Sequence, residues 1–272
     1  MATLPPPQAG GRKLVFLHLP KTGGTTLHHH FSAHFAPEEI CPERFSNLHD
    51  LPREQLDRYR YFCGHFNFDQ VRLIPGPLFL VTVLRDPVER LMSSYLYWKR
   101  HTAEAVARPG MEGPALARSA PLAEFLRNPH HQVQDSVNNT MTRYLAGQVT
   151  VNGDLTYRYF AGGAALPVTE LEVLHRALGN LLAIDVVGLT SNLHEVYARV
   201  ALAYGMPRLP ALARLNARTD AAPGLGPVVE EPPDAQARAE IERSVWLDRV
   251  VFRLARAHLR QSARPPMAAP AA

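Results

Sequence analysis

The chain has 272 residues, 46% hydrophobic and 20% charged, and 29 basic against 25 acidic side chains leave a net charge of +4. This excludes an intrinsically disordered chain, which combines low apolar content with high net charge, and at roughly 100 to 200 residues per domain it allows one large or two small units. No segment approaches the ~18 consecutive apolar residues that span a bilayer, and a pI near 9.2 suits an anionic ligand without naming nucleic acid.

Residues 1–12 hold Pro5, Pro6, Pro7, Gly10 and Gly11 without periodicity and read as a mobile leader. The leader lacks the charged start and apolar stretch of a secretory signal, so a cytosolic chain is expected, with Cys41 and Cys63 as free thiols. Lys13 to Leu19 is a short apolar run that reads as a strand, followed by a glycine-containing loop and a helix over Thr25 to Phe35. Tyr61 to Gly64 and Leu78 to Leu84 are further strands. The second is apolar on both faces, as a central parallel strand must be. Asp86 and Pro87 then occupy an N-cap and first helical position. Val88, Leu91, Met92, Tyr95 and Leu96 follow as the buried stripe of an amphipathic helix.

Helical patterns continue at Leu122 to Leu126, Asp135 to Leu145 and Thr169 to Leu182. Ala183 to Leu189 reads as another central strand and Leu193 to Tyr204 as its helix. Residues 208–233 are rich in Pro, Gly and Ala and form either a mobile connection or a lid; Asp234 to Leu259 reads as a long closing helix. Residues 261–272 form a mobile tail. Alternating strands and helices imply an α/β fold with a central, mainly parallel sheet flanked by helices in three layers, formed by one unit over 13–260.

Chemistry concentrates in two segments. Between the first strand and helix lie Lys21, Thr22, Gly23, Gly24, Thr25 and Thr26. Glycines let backbone amides approach a ligand, the first helical turn offers unpaired amides, and the helix dipole favours negative charge, so the loop is an anion cradle. A Walker A loop places its lysine after the last glycine and before Ser/Thr; here the lysine comes first, which disfavours an ATP or GTP loop. In the second segment, Arg85 leaves a central strand and Ser93 lies in the second turn of the next helix. In open α/β sheets ligands sit beyond the carboxyl ends of strands, and a guanidinium with a hydroxyl clamps phosphate oxygens.

The sequences PKTGGTT and LRDPVERLMSSY, each after a strand, resemble the PAPS-dependent sulfotransferases, in particular the carbohydrate (Golgi-type, sulfotransferase family 2) branch, whose fold is P-loop-like. Asn138 to Gly147, Val187 to Val196 and Leu247 to Ala257 are similar to segments of that branch. The resemblance implies that Lys21, Thr22, Gly23, Gly24, Thr25 and Thr26 grip the 5′-phosphosulfate of 3′-phosphoadenosine 5′-phosphosulfate (PAPS), that Arg85 and Ser93 hold its 3′-phosphate, and that no metal is required. It implies sulfuryl transfer to a hydroxyl of a glycan or glycolipid, with Lys21 stabilising the departing phosphate. His65, in Tyr61-Phe-Cys-Gly-His65, is the implied base. Uronyl 2-O-sulfotransferases carry a second histidine where this chain has Cys63, a departure that argues against a uronic-acid acceptor.

Arg218 and Thr219, in the 208–233 segment, are further cofactor candidates, because the corresponding segment folds over the nucleotide in related enzymes. His28, His29, His30 and His34 invite a metal reading, but without an HExxH pattern or an adjacent acid they read as helix decoration. Thr102 to Pro121 and Asn152 to Pro167 are the expected acceptor loops. Two alternatives stand beside this reading. A nucleotide-dependent kinase with a variant loop would need Asp86 as its Mg²⁺ ligand. A non-catalytic polyanion-binding module would use Arg53 to Arg60 or the basic residues of the last helix.

Overall fold

The computed structural model describes residues 11–152, 156–213 and 222–262. Its central sheet contains β1 (Lys13–Leu17), followed by α1 (Gly24–Ser32) and α2 (Arg53–Arg58), then β2 (Tyr61–Gly64) and α3 (Phe68–Val71), then β3 (Leu78–Leu84). A helical region follows: α4 (Pro87–Lys99), α5 (Ala103–Val106), α6 (Glu112–Ser119), α7 (Leu122–Arg127), α8 (His131–Val137) and α9 (Thr140–Ala146). A small antiparallel sheet comes next, β4 (Val149–Val151), β5 (Tyr157–Ala161) and β6 (Ala164–Val168). The described elements end with α10 (Glu170–Leu182), β7 (Val186–Leu189), α11 (Leu193–Tyr204) and α12 (Ala235–Ser262).

The central sheet has the order β2-β1-β3-β7 and every pair is parallel. Its pleat divides the core. Leu14 and Phe16 of β1 join Tyr61, Cys63, Val81 and Val83 on one face, under Leu27 and Phe31 of α1 and Val196, Tyr197 and Val200 of α11. Val15 and Leu17 join Phe62 and Leu84 on the other, under residues of α3, α9, α10 and α12. The fold is therefore α/β and three-layered, with strands buried on both sides. Residues from α4, α6, α7, α8 and α12 form a third apolar cluster beside the sheet. Cys41 and Cys63 are buried free thiols.

Four expectations change. The helix expected over Asp135 to Leu145 is two helices, because Asn139 adopts a left-handed conformation (φ 41°) and its side chain is drawn to α12, where Oδ1 accepts from Leu247 N at 2.9 Å and Asp248 N at 3.2 Å. The acceptor loop expected over Asn152 to Pro167 largely consists of strands β5 and β6, joined by Gly162 and Gly163 at φ 56° and 81°, the positive angles a two-residue hairpin demands. The one expected over Thr102 to Pro121 contains α5 and α6, with Thr102 capping α5 through Ala105 N. Arg12, at the edge of the expected leader, is anchored: it pairs with Asp185 at 2.7 Å and lies over the Phe79 ring.

The helical layers are joined by buried charge. Asp248 of α12 accepts from Thr142 N and Oγ1, both at 2.7 Å, and so caps α9 from outside. Arg90 of α4 is fully buried, with Nη2 donating to Ser136 O at 3.0 Å and Nε 3.9 Å from Asp248. Burial pushes the Asp248 carboxyl above its ordinary range against the pull of Arg90, and pushes Arg90 down to about 10. Removing one member of such a pair strands the other charge. Asp248→Ala is expected to lose about 3–5 kcal/mol of stability, read as a lower urea midpoint; an unchanged midpoint would show the pair to be energetically silent.

Candidate active site

In the sheet, β2 lies on one side of β1 and β3 on the other. The carboxyl ends of β1 and β3 thus lie where the chain direction switches, the crevice in which α/β sheets bind ligands. At this point Leu17 O accepts from Thr82 Oγ1 at 2.9 Å, locking the two strand ends together.

The loop from Leu19 to Gly23 is built with its carbonyls tied outward. Leu19 O accepts from Thr22 Oγ1 at 2.8 Å, Lys21 O from Arg85 Nη1 at 3.3 Å, and Thr22 O from Thr190 Oγ1 at 3.0 Å. Lys21 is a non-glycine residue at φ 67°, a costly conformation that persists where surrounding contacts enforce it. Gly23, at φ 83°, precedes α1, which has no side-chain cap and no acid in its first turn. The helix therefore starts behind a glycine N-cap that offers no side chain, with Lys21 and Gly23 both in left-handed conformations. Thr22 is fully buried, so its hydroxyl shapes the loop rather than facing a ligand.

Gly24 serves a close approach. A Cβ there would lie 1.9 Å from Cδ2 of His18, whose buried ring covers the start of α1. His18 continues β1, donating its N–H to Gly64 O at 3.0 Å, and its ring lies 4.5 Å from the His65 ring. His65 Nδ1 is 2.7 Å from His18 O. A carbonyl can only accept, so Nδ1 carries the proton and the lone pair of the neutral ring resides on Nε2, which has no protein partner among the described residues. Burial first, then Arg44 and Lys21, hold His65 below the ordinary histidine value, against the upward pull of the His18 carbonyl. Burial and its charged neighbours push His18 well below it too.

On the opposite wall, Asp86 caps α4, its Oδ1 accepting from Val88 N at 3.0 Å and Glu89 N at 3.2 Å. Arg85 is three-quarters buried; besides Lys21 O it reaches the exposed Glu89 at 3.4 Å. Ser93 is half-buried one turn before Tyr97 on the same helix face. The Lys21 ammonium sits 4.1 Å above the centre of the Tyr97 ring, so the lysine bridges loop and helix by a cation–π contact.

The structure thus brings Lys21, Thr22, Gly23, Gly24, Thr25, Thr26, His65, Arg85 and Ser93 to the carboxyl edge of one sheet. Arg218 and Thr219 lie outside the described residues. Of the described residues of the 208–233 segment, Leu209 lies against α11, its O 2.7 Å from His194 Nε2, and Gly224 and Gly226 are docked on the end of α4, where Thr102 N donates to Gly224 O and Gly226 N to Arg100 O, at 2.9 and 2.7 Å. His28 is not helix decoration: its Nδ1 is 3.0 Å from Tyr61 OH and its Nε2 is 2.6 Å from Arg44 Nη1. His34 reaches a different partner, Tyr197 OH, at 3.2 Å. His18, Arg44 and Tyr97 escaped the sequence reading. Only His18 had a signal, two residues after Phe16 and thus on the same strand face.

A parallel sheet between helical layers, with a cationic, glycine-containing loop at its switch point, defines a P-loop-like α/β protein. Residues 8–160, over half of the chain, match the model of a sulfotransferase family, and the chain belongs to that family. A protein-tyrosine sulfotransferase of Arabidopsis thaliana is 29% identical over 100 residues, which cover 36% of this chain and 20% of that relative. The match therefore spans about a fifth of the relative's length.

Two glycines test the packing. Gly24→Ala should raise intrinsic helix propensity yet lower the melting temperature, because the His18 ring must move. Gly179→Ala, in α10 with open space around it, should raise the melting temperature, as a gain of about 1 kcal/mol predicts. A Gly24→Ala protein that melts above the parent would overturn the His18 contact.

Proposed function

We propose that this sulfotransferase moves a sulfuryl group from PAPS to an acceptor hydroxyl, with His65 as general base and Lys21 as the cation at the leaving oxygen. What carries this reading is one edge of one sheet that joins a helix start behind a glycine N-cap, a lysine loop and a second clamp to a neutral histidine. The residues fit such a donor. The glycine-containing loop that carries Lys21 suits a phosphosulfate, and Arg85 with Ser93 suits a second, separate phosphate.

PAPS supplies the activated sulfur–oxygen bond. His65 Nε2 accepts the acceptor's proton as its oxygen bonds to sulfur, and the Nδ1–H to the His18 carbonyl keeps the ring in the required tautomer. Lys21 offsets the charge that develops on the phosphate oxygen as its bond to sulfur breaks. The hydrogen bond that Arg85 Nη1 donates to Lys21 O ties the two clamps together.

The acceptor is read as a sugar hydroxyl from the resemblance to carbohydrate sulfotransferases. A tyrosine phenol is the second reading, favoured by the protein-tyrosine sulfotransferase of Arabidopsis. A kinase is opposed by Asp86, whose carboxylate is engaged as the α4 cap. A polyanion-binding module is opposed by α12, where Arg243 and Arg249 pair with Glu240 and Glu242.

Adenosine 3′,5′-bisphosphate should stabilise the protein against heat far more than ADP, and Arg85→Ala should remove most of that difference. Equal responses to the two nucleotides would argue against PAPS. Labelled PAPS offered to a panel of glycans and tyrosine peptides then identifies the acceptor. His65→Ala should abolish turnover while retaining nucleotide binding. Because a base must be unprotonated and burial holds His65 below the ordinary histidine value, the acid limb of kcat/KM should be centred below that value. An acid limb centred above pH 7 would exclude His65 as that base.

A further inference from the structure

The wall of the site beside His65 is a short strap, residues 43–46, that the sequence reading passed over. It lies against the end of β2. Arg44 O accepts from His65 N at 2.7 Å, and Ser46 Oγ donates to His65 O at 3.1 Å. Gly64 permits this approach, since a Cβ there would lie 2.6 Å from Arg44 O. The strap therefore fixes both the position of His65 and the origin of the Arg44 side chain.

The guanidinium is held by neutral partners. Nη1 donates to His28 Nε2 at 2.6 Å, which leaves the His28 proton on Nδ1, 3.0 Å from Tyr61 OH. Nη2 donates to Cys63 Sγ at 3.6 Å. His28 is pushed down to about 4, chiefly by burial and then by Arg44, and burial pushes the Cys63 thiol up to about 11, so both are uncharged near neutrality. The adjacent Glu43 carboxylate accepts from the amides of Arg44 and Phe45, at 2.9 and 2.7 Å, and is thereby turned into the strap. Among the described residues no carboxylate comes within ion-pair distance of Arg44.

This cation faces the reacting groups. Arg44 contacts Cys63, two residues before His65, and its charge is among those that act on His65. Phe45, 62% exposed with its ring 6.1 Å from that of His65, walls the same side. A half-buried arginine with no carboxylate at ion-pair distance among the described residues, whose charge like that of Lys21 acts on His18 and His65, is a fixed positive site with donors to spare.

We propose that Arg44 holds an oxyanion against His65: the sulfuryl oxygens of the donor, or a carboxylate carried by the acceptor next to its reacting hydroxyl. The inference rests on the reading of His65 as the acceptor-side base. Guanidinium presents paired donors that match either anion, whereas the loop lysine is a point charge. His28 and Cys63 act as positioning residues that aim the fork without neutralising it.

The full chain, saturated with adenosine 3′,5′-bisphosphate so that the donor loop is filled, is titrated by calorimetry with sodium sulfate and, separately, with sodium acetate. The parent should bind at least one of them, and Arg44→Ala should weaken that binding at least tenfold. Arg44→Lys, which keeps the charge but not the fork, should fall between, and it replaces Arg44→Ala as the test if the alanine variant melts early. Tighter binding of sulfate assigns the site to the sulfuryl group; tighter binding of acetate assigns it to the acceptor. A parent that binds neither anion, or an Arg44 variant that binds as the parent does, overturns the proposal. His65→Ala separates the two readings. Full turnover in that variant removes His65 as base and leaves the anion titrations to judge Arg44 alone.

Discussion

The ring of His18 lies where a side chain at position 24 would otherwise be, and the site is arranged around that contact. On one side the ring covers the start of α1 and so sets how closely the glycine loop can pass. On the other it meets His65, whose Nδ1 bonds the His18 carbonyl. One residue at the end of β1 therefore couples the anion loop to the histidine beside it. The coupling depends on the parallel register of β1 and β2, with Leu17 opposite Gly64, because only that register brings His18 and His65 side by side.

Electrostatics follow from the same packing. Lys21 and Arg44 place positive charge around histidines that burial already disfavours as cations, so His18, His28 and His65 are all held below the ordinary histidine value. Neutral rings accept protons and hydrogen bonds, which protonated ones cannot. The result is a site that holds fixed cations and neutral histidine rings together. The Asp248 and Arg90 pair shows the opposite solution, opposed charges buried together where they join α4, α9 and α12 rather than meet a ligand.

Much of this was legible in the residues. β3 coincides with the apolar run Leu78 to Leu84, and α4 begins at the Asp86 cap and Pro87 as expected. Local chemistry specifies these features: a cap needs only its own next three residues, and a central strand needs apolar side chains on both faces. β5 and β6 were missed because Tyr157 is the one buried residue in the two strands, which leaves no alternation to read. The break between α8 and α9 was missed because Asn139 is held by α12, more than a hundred residues away.

By itself, the sequence determined the order of strands and helices, the lysine and glycine composition of the anion loop and the motifs that mark a sulfotransferase, since these rest on neighbours in the chain. Tertiary structure decided what surrounds the chemistry. It turned the carbonyls of the loop outward through Arg85 and Thr190, set Lys21 over Tyr97, and aimed Arg44 by way of His28 and Cys63. Each of those contacts joins residues far apart in the chain. Periodicity and spacing report only local neighbours, and parallel strand pairing brings distant residues to one edge.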